Sequence, residues 1–261
     1  MTDESTKQPE AGPTPTDTAT ATATTTLKVA IVVPTYNEAE TLPVLIEKVA
    51  TQGIDGLGFV VVDDGSPDGT GDIADRLADE FPGIFLVIHR EGKQGLGTAY
   101  MAGFQTALDA GAERIVEMDA DLSHPPQVLP GLIAQLDTAD VVVASRYTDG
   151  GGVDPGWSWG RKQISYWGNV GIRMILGLKV KDATAGFKGF RRQSLETIRL
   201  ERMKLTGFGF QAEVAYRCQK AGLNIVEHPY VFMERTAGAS KMSFAIVVEA
   251  FFQLTWLRIR G

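Results

Sequence analysis

The sequence predicts an α/β protein in which helices flank a mostly parallel, Rossmann-like sheet. From Leu27 onward, short apolar runs rich in β-branched residues alternate with segments whose apolar residues recur at helical spacing. The connections are short, and such alternation favours parallel strands joined by right-handed crossovers. The chain has 261 residues, 44% of them hydrophobic and 22% charged, so it is long enough for one large domain with a substantial core.

The first part of the chain is predicted to contain three helices and five strands. Pro34 directly follows the first apolar run, so the first strand is predicted to end at Val33. The predicted helices are Ala39–Thr51, Thr70–Phe81 and a segment ending near Ala110; the predicted strands are Leu27–Val33, Gly58–Val62, Ile84–Ile88, the apolar run before Asp119, and Asp140–Ala144.

The second part has a looser pattern. The glycine-rich segment 148–156 is either a lid over a site or an ordinary connection. Beyond it we predict an amphipathic helix at Trp159–Leu178, a short strand at Phe187–Phe190, a helix at Phe210–Ala221 and a strand at Asn224–Met233.

The two ends of the chain differ from the predicted domain at 27–242. Residues 1–26 are dominated by Thr, Ala and Pro and are predicted to be a disordered tail. Residues 243–261 are apolar, with Trp256 and arginines near the end, and are predicted to form an amphipathic helix facing a membrane or a partner. Of this segment and the Trp159–Leu178 helix, we expect at least one to lie in a membrane interface; the alternative is packing on the sheet.

Charge is distributed unevenly along the chain. Residues 1–150 carry 8 Lys and Arg against 24 Asp and Glu, a net charge of −16, whereas residues 151–261 carry 17 against 8, a net charge of +9. The basic half suggests an anionic partner, either a phosphate substrate or an anionic membrane surface. The sequence shows no export signal and no apolar run of about 18 residues.

A pair of acids, Asp119 and Asp121, follows the fourth predicted strand. In open α/β sheets ligands bind at the carboxyl ends of the strands, and two carboxylates there can hold a hard divalent cation against a diphosphate. Parallel strands bring the loops 34–38 and 63–70 to the same edge, where they could bind a base and ribose. The glycine fingerprints of dinucleotide-binding and P-loop proteins are missing, which disfavours those chemistries.

Seven motifs then occur in the order typical of one family: PTYNE, DDGSPDGT, GLGTA, DADLSHPP, SRY, DATAGFK and RTAGASKM. Together they resemble the family 2 glycosyltransferases, specifically the polyprenol-phosphate (dolichol-phosphate) mannose synthases, and most closely the mycobacterial members of that group. The resemblance covers Leu27 to about Met242. It implies a GT-A fold, GDP-mannose as the donor, a polyprenyl phosphate as the acceptor and inversion at the anomeric carbon.

The resemblance also implies roles for individual positions. The residues implied to contact the guanosine side are Pro34, Tyr36, Asn37, Glu38 and one of Asp63 or Asp64. Those implied to bind the diphosphate and a Mg²⁺ or Mn²⁺ ion are Asp119, Ala120 and Asp121, with both acids as metal ligands. Those implied to lie around the donor phosphates and the acceptor are Arg146, Gln211, Arg235 and Lys241. Some relatives have Gln where this chain has Ser123, so the ligand that completes the metal shell is in doubt. His124 is expected to hydrogen-bond its loop, with a metal contact as the alternative.

A phosphate acceptor requires cations in the site rather than a catalytic base. A phosphate monoester has a second pKa of about 6, so it is already a nucleophile near neutral pH and needs no catalytic carboxylate. The site must instead neutralise the leaving diphosphate, a role for Asp121 through its metal, and bring two anions together, a role for Arg146, Arg235 and Lys241.

Two alternatives remain open from the sequence. One is an enzyme of the same fold that transfers glucose from UDP-glucose to a polyprenyl phosphate. The other is a non-catalytic, membrane-associated binding protein of the same ancestry. For the mannosyltransferase that the resemblance implies, we expect a peripheral protein at the cytoplasmic face of the membrane, held by a membrane-anchoring partner or fused membrane domain, and no nucleic-acid partner.

Overall fold

The computed structural model describes residues 27–207, 209–234 and 252–259. A seven-stranded sheet has the strand order β3-β2-β1-β4-β7-β5-β8, and β7 runs antiparallel to both of its neighbours while the other pairs are parallel. Its strands are β1 (Val29–Thr35), β2 (Leu57–Asp63), β3 (Phe85–His89), β4 (Arg114–Glu117), β5 (Val141–Ser145), β7 (Lys188–Arg191) and β8 (Ile225–Pro229); β6 (Gly152–Val153) and β9 (Val231–Phe232) form a second, two-stranded sheet.

Helices cover both faces of the large sheet, which confirms the predicted fold class. The two helices that the sequence analysis missed, α4 and α6, are seven residues each, too short for helical spacing to be distinctive. The helices are α1 (Thr41–Ala50), α2 (Thr70–Glu80), α3 (Leu96–Asp109), α4 (Leu129–Gln135), α5 (Trp159–Leu176), α6 (Arg192–Ile198), α7 (Gly209–Lys220) and α8 (252–259).

The two faces of the sheet have separate apolar cores because successive strand residues point to opposite sides. Ile31 and Val33 of β1 pack in one core with side chains of α1 and α4. Ala30 and Val32 pack in the other with side chains of α3, α6 and α7. Helix α3 lies so close to β1 that a Cβ at Gly103 would overlap Val32. Both cores fix the strand ends that carry the polar loops.

The first strand has the predicted length of seven residues but begins and ends two residues later than predicted. It continues through Pro34 to Thr35, whereas the prediction ended it at Val33. Pairing between β1 and β4 stops at Val32, and Val32 accepts a hydrogen bond from Met118 on that side. Pro34 faces the same side two residues later, so its missing N–H interrupts no ladder.

The last predicted strand is two strands. Residues 224–233 form β8 and β9, separated by Tyr230, and β9 pairs with β6 in the other sheet. Segment 148–156 therefore contains a strand, and its Gly152 and Asp154 amides donate to the carbonyls of Tyr230 and Phe232. The segment is tied to β9 along this stretch, which favours an ordinary connection over a lid.

The order of the strands creates a crevice beside β1. The chain runs from β1 to β2 and β3 on one side and then returns to place β4 on the other side. At such a switch point the loops after the two central strands diverge and leave room for a ligand. The Asp119–Asp121 turn follows β4 and lies at this position.

Candidate active site

The predicted site residues of the described chain come to one edge of the large sheet. The carboxyl ends of β1, β2, β4 and β5 lie there because these strands are parallel, and the amino end of β7 joins them because β7 is antiparallel. The predicted site residues Arg235 and Lys241 lie outside the described residues.

The loop after β1 is held in place by the loop after β2. Asn37 adopts a left-handed conformation with φ of 62°, which Asn tolerates better than most residues, and its amide donates to Ser66 Oγ at 3.0 Å. The Glu38 amide donates to Thr70 Oγ1 at 2.9 Å. Tyr36 is half-buried, and Lys93 Nζ lies 3.4 Å from its ring centroid. The loops after β1 and β3 thus bring an aromatic ring and a cation together.

Asp63 and Asp64, which the sequence could not separate, have different surroundings. Asp63 Oδ1 accepts hydrogen bonds from Thr35 Oγ1 at 3.0 Å and Ser66 Oγ at 2.5 Å, and its Oδ2 accepts one from the Ser66 amide at 3.0 Å. Asp63 is therefore committed to joining the two loops.

Asp64 forms a buried ion pair instead. Its Oδ1 lies 3.1 Å from Arg90 Nε, and each side chain is 9% exposed. Within the described residues, Asp64 Oδ1 and Arg90 Nη1 have no hydrogen-bond partner. Burial raises the pKa of Asp64, although the charge of Arg90 opposes that shift. Because buried polar atoms are usually hydrogen-bonded, a ligand or water is expected to bind these two atoms. Arg90, which lies in the loop after β3, is not among the predicted site residues.

The Asp119–Asp121 turn is held by three neighbours. Tyr100, fully buried on α3, donates its hydroxyl to Asp119 Oδ1 at 2.8 Å. The Asp119 amide donates to His124 Nδ1 at 3.1 Å, which is the loop contact expected for His124. Asp121 Oδ1 accepts from the Ser123 amide at 3.0 Å. Burial and the charge of Asp119 raise the pKa of Tyr100 well above its ordinary value, so Tyr100 stays a donor.

The turn is suited to a hard divalent cation. Leu122, between Asp121 and Ser123, has φ of 63°, an uncommon conformation for a branched side chain. The Ser123 hydroxyl is buried with no partner among the described residues. The described residues contain no group of three or more His, Cys, Asp or Glu side chains that could hold a metal ion. Asp119 and Asp121 could supply two carboxylates to such an ion, with substrate oxygens and water as the other ligands, an arrangement common for Mg²⁺.

Behind the turn lies a buried polar group of three side chains. Lys188 Nζ lies 2.9 Å from Glu117 Oε1, and both side chains are fully buried. Gln211, which is 6% exposed, hydrogen-bonds to both of them. Burial raises the pKa of Glu117, although Lys188 and Gln211 oppose the shift. The sequence placed Gln211 near the donor phosphates but did not identify its two partners.

Arg146 is fixed by a buried carboxylate. Its Nε and Nη2 donate to the two oxygens of Asp182, both at 2.8 Å, and Nη2 also donates to Thr184 Oγ1 at 2.7 Å. Burial disfavours the charge of Arg146, but Asp182 outweighs it and the pKa lies above its ordinary value. Burial likewise opposes ionisation of Asp182, and Arg146 keeps its pKa below the ordinary value. Arg146 is therefore a permanent, oriented cation at the end of β5.

Glu213 of α7 is fully buried and holds a turn. Its carboxylate accepts hydrogen bonds from the backbone amides of Lys204 and Leu205 and from the guanidinium of Arg217. These contacts account for the side chain structurally.

Two helices carry exposed apolar side chains on one stripe each. Ile164, Trp167 and Met174 follow the spacing of one face of α5, and Phe252, Trp256 and Ile259 do the same on α8. The opposite side of α8 is buried, with Leu254 and Leu257 packed in a cluster that includes Leu176 of α5 and Tyr216 of α7. We call these six exposed residues the apolar face. Among the described residues, no helix combines the length and apolar character needed to cross a membrane.

Comparisons with known proteins identify the family. The family model described as Glycosyl transferase family 2 matches residues 30–199. The chain is 44% identical to the undecaprenyl-phosphate mannosyltransferase of Micrococcus luteus, over 88% of this chain and 93% of that protein. It is 42% identical to the polyprenol monophosphomannose synthase of Mycolicibacterium smegmatis, over 90% of this chain and 88% of that protein. These matches confirm the family resemblance.

Solved structures share the fold at lower identity. Glucosyl-3-phosphoglycerate synthase from Mycobacterium tuberculosis, in complex with Mn²⁺, UDP and glucosyl-3-phosphoglycerate, is 20% identical with a TM-score of 0.60, over 88% of this chain and 78% of that chain. A mannosyltransferase from Pyrobaculum calidifontis, in complex with GDP-mannose and Mn²⁺, is 20% identical with a TM-score of 0.59, over 90% of this chain and 64% of that chain.

Proposed function

Because this chain belongs to glycosyltransferase family 2, we propose that it transfers mannose from GDP-mannose to a polyprenyl phosphate, with inversion at the anomeric carbon. The observation that carries this proposal is the Asp119–Asp121 turn at the switch point, in a chain more than 40% identical to two polyprenyl-phosphate mannose transferases along most of its length. UDP-glucose as the donor has less support, because neither of these relatives is named as a glucosyltransferase.

The residues of the crevice are proposed to bind two anions, the donor diphosphate and the acceptor phosphate. Asp119 and Asp121 would hold a divalent cation, Mg²⁺ or Mn²⁺, whose chemistry is to neutralise the diphosphate as it leaves. Arg146, locked by Asp182, is proposed to attract and orient the acceptor phosphate, and Arg235 and Lys241 share that proposed role. The phosphate oxygen is itself the nucleophile, so no base is assigned.

Asp64 is our proposed contact to the base. Guanine presents two adjacent N–H donors on its Watson–Crick edge, which match the two oxygens of a carboxylate, whereas uracil presents one. Asp64 Oδ1 lies in an ion pair with Arg90 but accepts no hydrogen bond among the described residues, whereas Asp63 already accepts hydrogen bonds from Thr35 and Ser66. Pro34, Tyr36, Asn37 and Glu38 would line the same pocket, and Ala120 would leave room for the diphosphate.

The test is sugar transfer into extractable lipid from a panel of labelled nucleotide sugars. Wild-type chain with Mn²⁺ is expected to use GDP-mannose and to leave UDP-glucose unused, with the transfer abolished by a chelator. Asp64→Asn, which retains only one acceptor, is expected to lower kcat/KM for GDP-mannose by about tenfold, the loss expected for one hydrogen bond to a charged group. Preferential use of UDP-glucose, or no transfer from any donor, would contradict the proposal.

We further propose that the apolar face docks on the cytoplasmic surface of a membrane, where the chain acts as a peripheral protein. Trp167 and Met174 are 62% and 75% exposed, and the apolar face is accompanied by cations, with Lys204 Nζ lying 4.7 Å from the ring centroid of Trp256. Aromatic and basic residues together are typical of helices in a membrane interface. A membrane-anchoring partner or fused domain stays a prediction.

Vesicle flotation tests the docking surface. Wild-type chain is expected to float with phosphatidylglycerol vesicles at low salt and to float less with phosphatidylcholine, because the half of the chain at 151–261 carries a net charge of +9. Trp167→Ser/Met174→Ser is expected to remove most of this binding. Val44→Ser/Phe81→Ser, which alters exposed apolar residues of α1 and the end of α2, is the matched control and should bind as wild type does. Equal loss in both variants would overturn the assignment of the surface.

A further inference from the structure

The buried ion pair between Lys188 and Glu117, behind the Asp119–Asp121 turn, has a geometry that indicates its role. Lys188 of β7 stands directly opposite Glu117 of β4 in the antiparallel register, so the two side chains project to the same face of the sheet. Lys188 Nζ contacts three acceptors: Glu117 Oε1, the Ala185 carbonyl and Gln211 Oε1. An ammonium group has three N–H donors, so these acceptors occupy all of them and none remains for a ligand.

The same contacts fix the orientation of the Gln211 amide. Lys188 can only donate, so Gln211 must present its oxygen to it, and the amide nitrogen must point the other way. On that side Gln211 Nε2 donates to Glu117 Oε2 at 3.3 Å. Lys188 thus binds the oxygen of the Gln211 amide, and Glu117 binds its nitrogen.

The nitrogen end of the amide borders the space beside Asp119. A Cβ built at Gly186 would lie 3.7 Å from Gln211 Nε2 and 3.8 Å from Asp119 Oδ2. The position is thus shared by an N–H donor and one of the carboxylates proposed to hold the metal. An anionic diphosphate in this space would be attracted by the amide N–H and repelled by the amide oxygen.

We propose that Lys188 is a positioning residue that, with Glu117, keeps the second N–H of the Gln211 amide, the one not donated to Glu117, facing the donor diphosphate. This inference rests on the proposed function, because it needs a nucleoside diphosphate in the crevice. Glu117 balances the charge of Lys188, so the pair orients the amide without adding net charge behind the site. A buried ion pair is weak support for stability, since an apolar pair of similar volume commonly stabilises as well.

The experiment is a double-mutant cycle measured by calorimetric titration of GDP in the presence of Mn²⁺. One side of the cycle replaces the ion pair by an apolar pair, Glu117→Leu/Lys188→Met, which leaves no buried charge unpaired. The other side is Gln211→Met. We expect each to weaken GDP binding by about tenfold, the loss expected for a hydrogen bond to a charged group, and the combination to be no weaker than Gln211→Met alone.

The control on folding is thermal unfolding of every variant. Losses that multiply across the cycle, or an apolar pair that binds GDP as wild type does, would overturn the positioning role. If the apolar pair fails to fold, Glu117→Gln/Lys188→Met serves instead: it also leaves no buried charge unpaired, removes the ammonium that binds the Gln211 oxygen, and should lower GDP binding by about tenfold. Unchanged binding in that variant would overturn the inference.

The failure of this inference can be told from the failure of the proposed function. The titration is repeated with UDP, because Gln211 is proposed to face the diphosphate that both nucleotides share. Binding of UDP in place of GDP would contradict the proposed donor while leaving the cycle measurable. A wild-type chain that binds neither nucleotide would overturn both proposals.

Discussion

Replacing either acid of the metal turn, as Asp119→Asn or Asp121→Asn, is expected to lower kcat for mannose transfer by roughly 10²–10³-fold, the usual cost of removing one group that stabilises developing charge. The reason is that each carboxylate is proposed to supply one of the two protein ligands for the cation. The measurement is transfer into extractable lipid at saturating GDP-mannose across a range of Mn²⁺ concentrations. A raised requirement for Mn²⁺ should accompany the lower rate.

Asp109→Asn provides the matched control. Asp109 is the last residue of α3, and its carboxylate accepts an exposed hydrogen bond from Gln105 on the same helix. The variant changes the same functional group outside the crevice and should keep the wild-type rate and Mn²⁺ dependence. An Asp121→Asn variant with an unchanged rate at every Mn²⁺ concentration would show that the turn is not the metal site.

The sequence was sufficient to predict the edge at which these residues meet. Apolar runs ending in polar turns predict parallel strands, and parallel strands bring their carboxyl ends together whatever the details of packing. The Asp119–Asp121 turn and the 34–38 loop were therefore placed correctly from spacing alone. The strand between β4 and β5 is β7, which comes much later in the chain. No local sequence pattern predicts that β7 inserts between them.

The side chains that support the site could not be predicted in the same way. Arg90, Tyr100, Asp182 and Lys188 act across sequence separations of 19 to 71 residues. Asp63 and Asp64 are adjacent, so only the hydrogen bonds of the folded chain distinguish the one that joins two loops from the one that faces Arg90. The motifs contained several of these residues, but their partners depend on tertiary packing.

A second large effect is expected on stability, from removing the partner of Arg146. Asp182→Ala should lower the free energy of unfolding by about 3–5 kcal/mol, because it leaves a buried guanidinium without its carboxylate. The side chains are 11% and 0% exposed, so solvent screens the pair little. Denaturant unfolding with a constant m-value measures the change. Asp55→Ala, which breaks the exposed pair with Lys28, is the control and should unfold close to wild type.

Removing both partners separates stability from catalysis. Arg146→Met/Asp182→Leu should regain much of the stability that Asp182→Ala loses, because no buried charge is left unpaired. It should not regain transfer, because the proposed cation for the acceptor phosphate is gone. A double variant that is stable and fully active would contradict the role proposed for Arg146.

The pair also predicts how stability depends on pH. Arg146 holds the pKa of Asp182 below its ordinary value of 3.8, so the folded state binds the proton less readily than the unfolded state does. The stabilisation is complete above that ordinary value and disappears as pH falls from there through the lowered pKa of the folded state. Wild-type chain should therefore lose stability on acidification more steeply than Arg146→Met/Asp182→Leu, in denaturant unfolding followed from pH 6 downward. Parallel pH profiles for the two chains would contradict the ion pair as a source of stability.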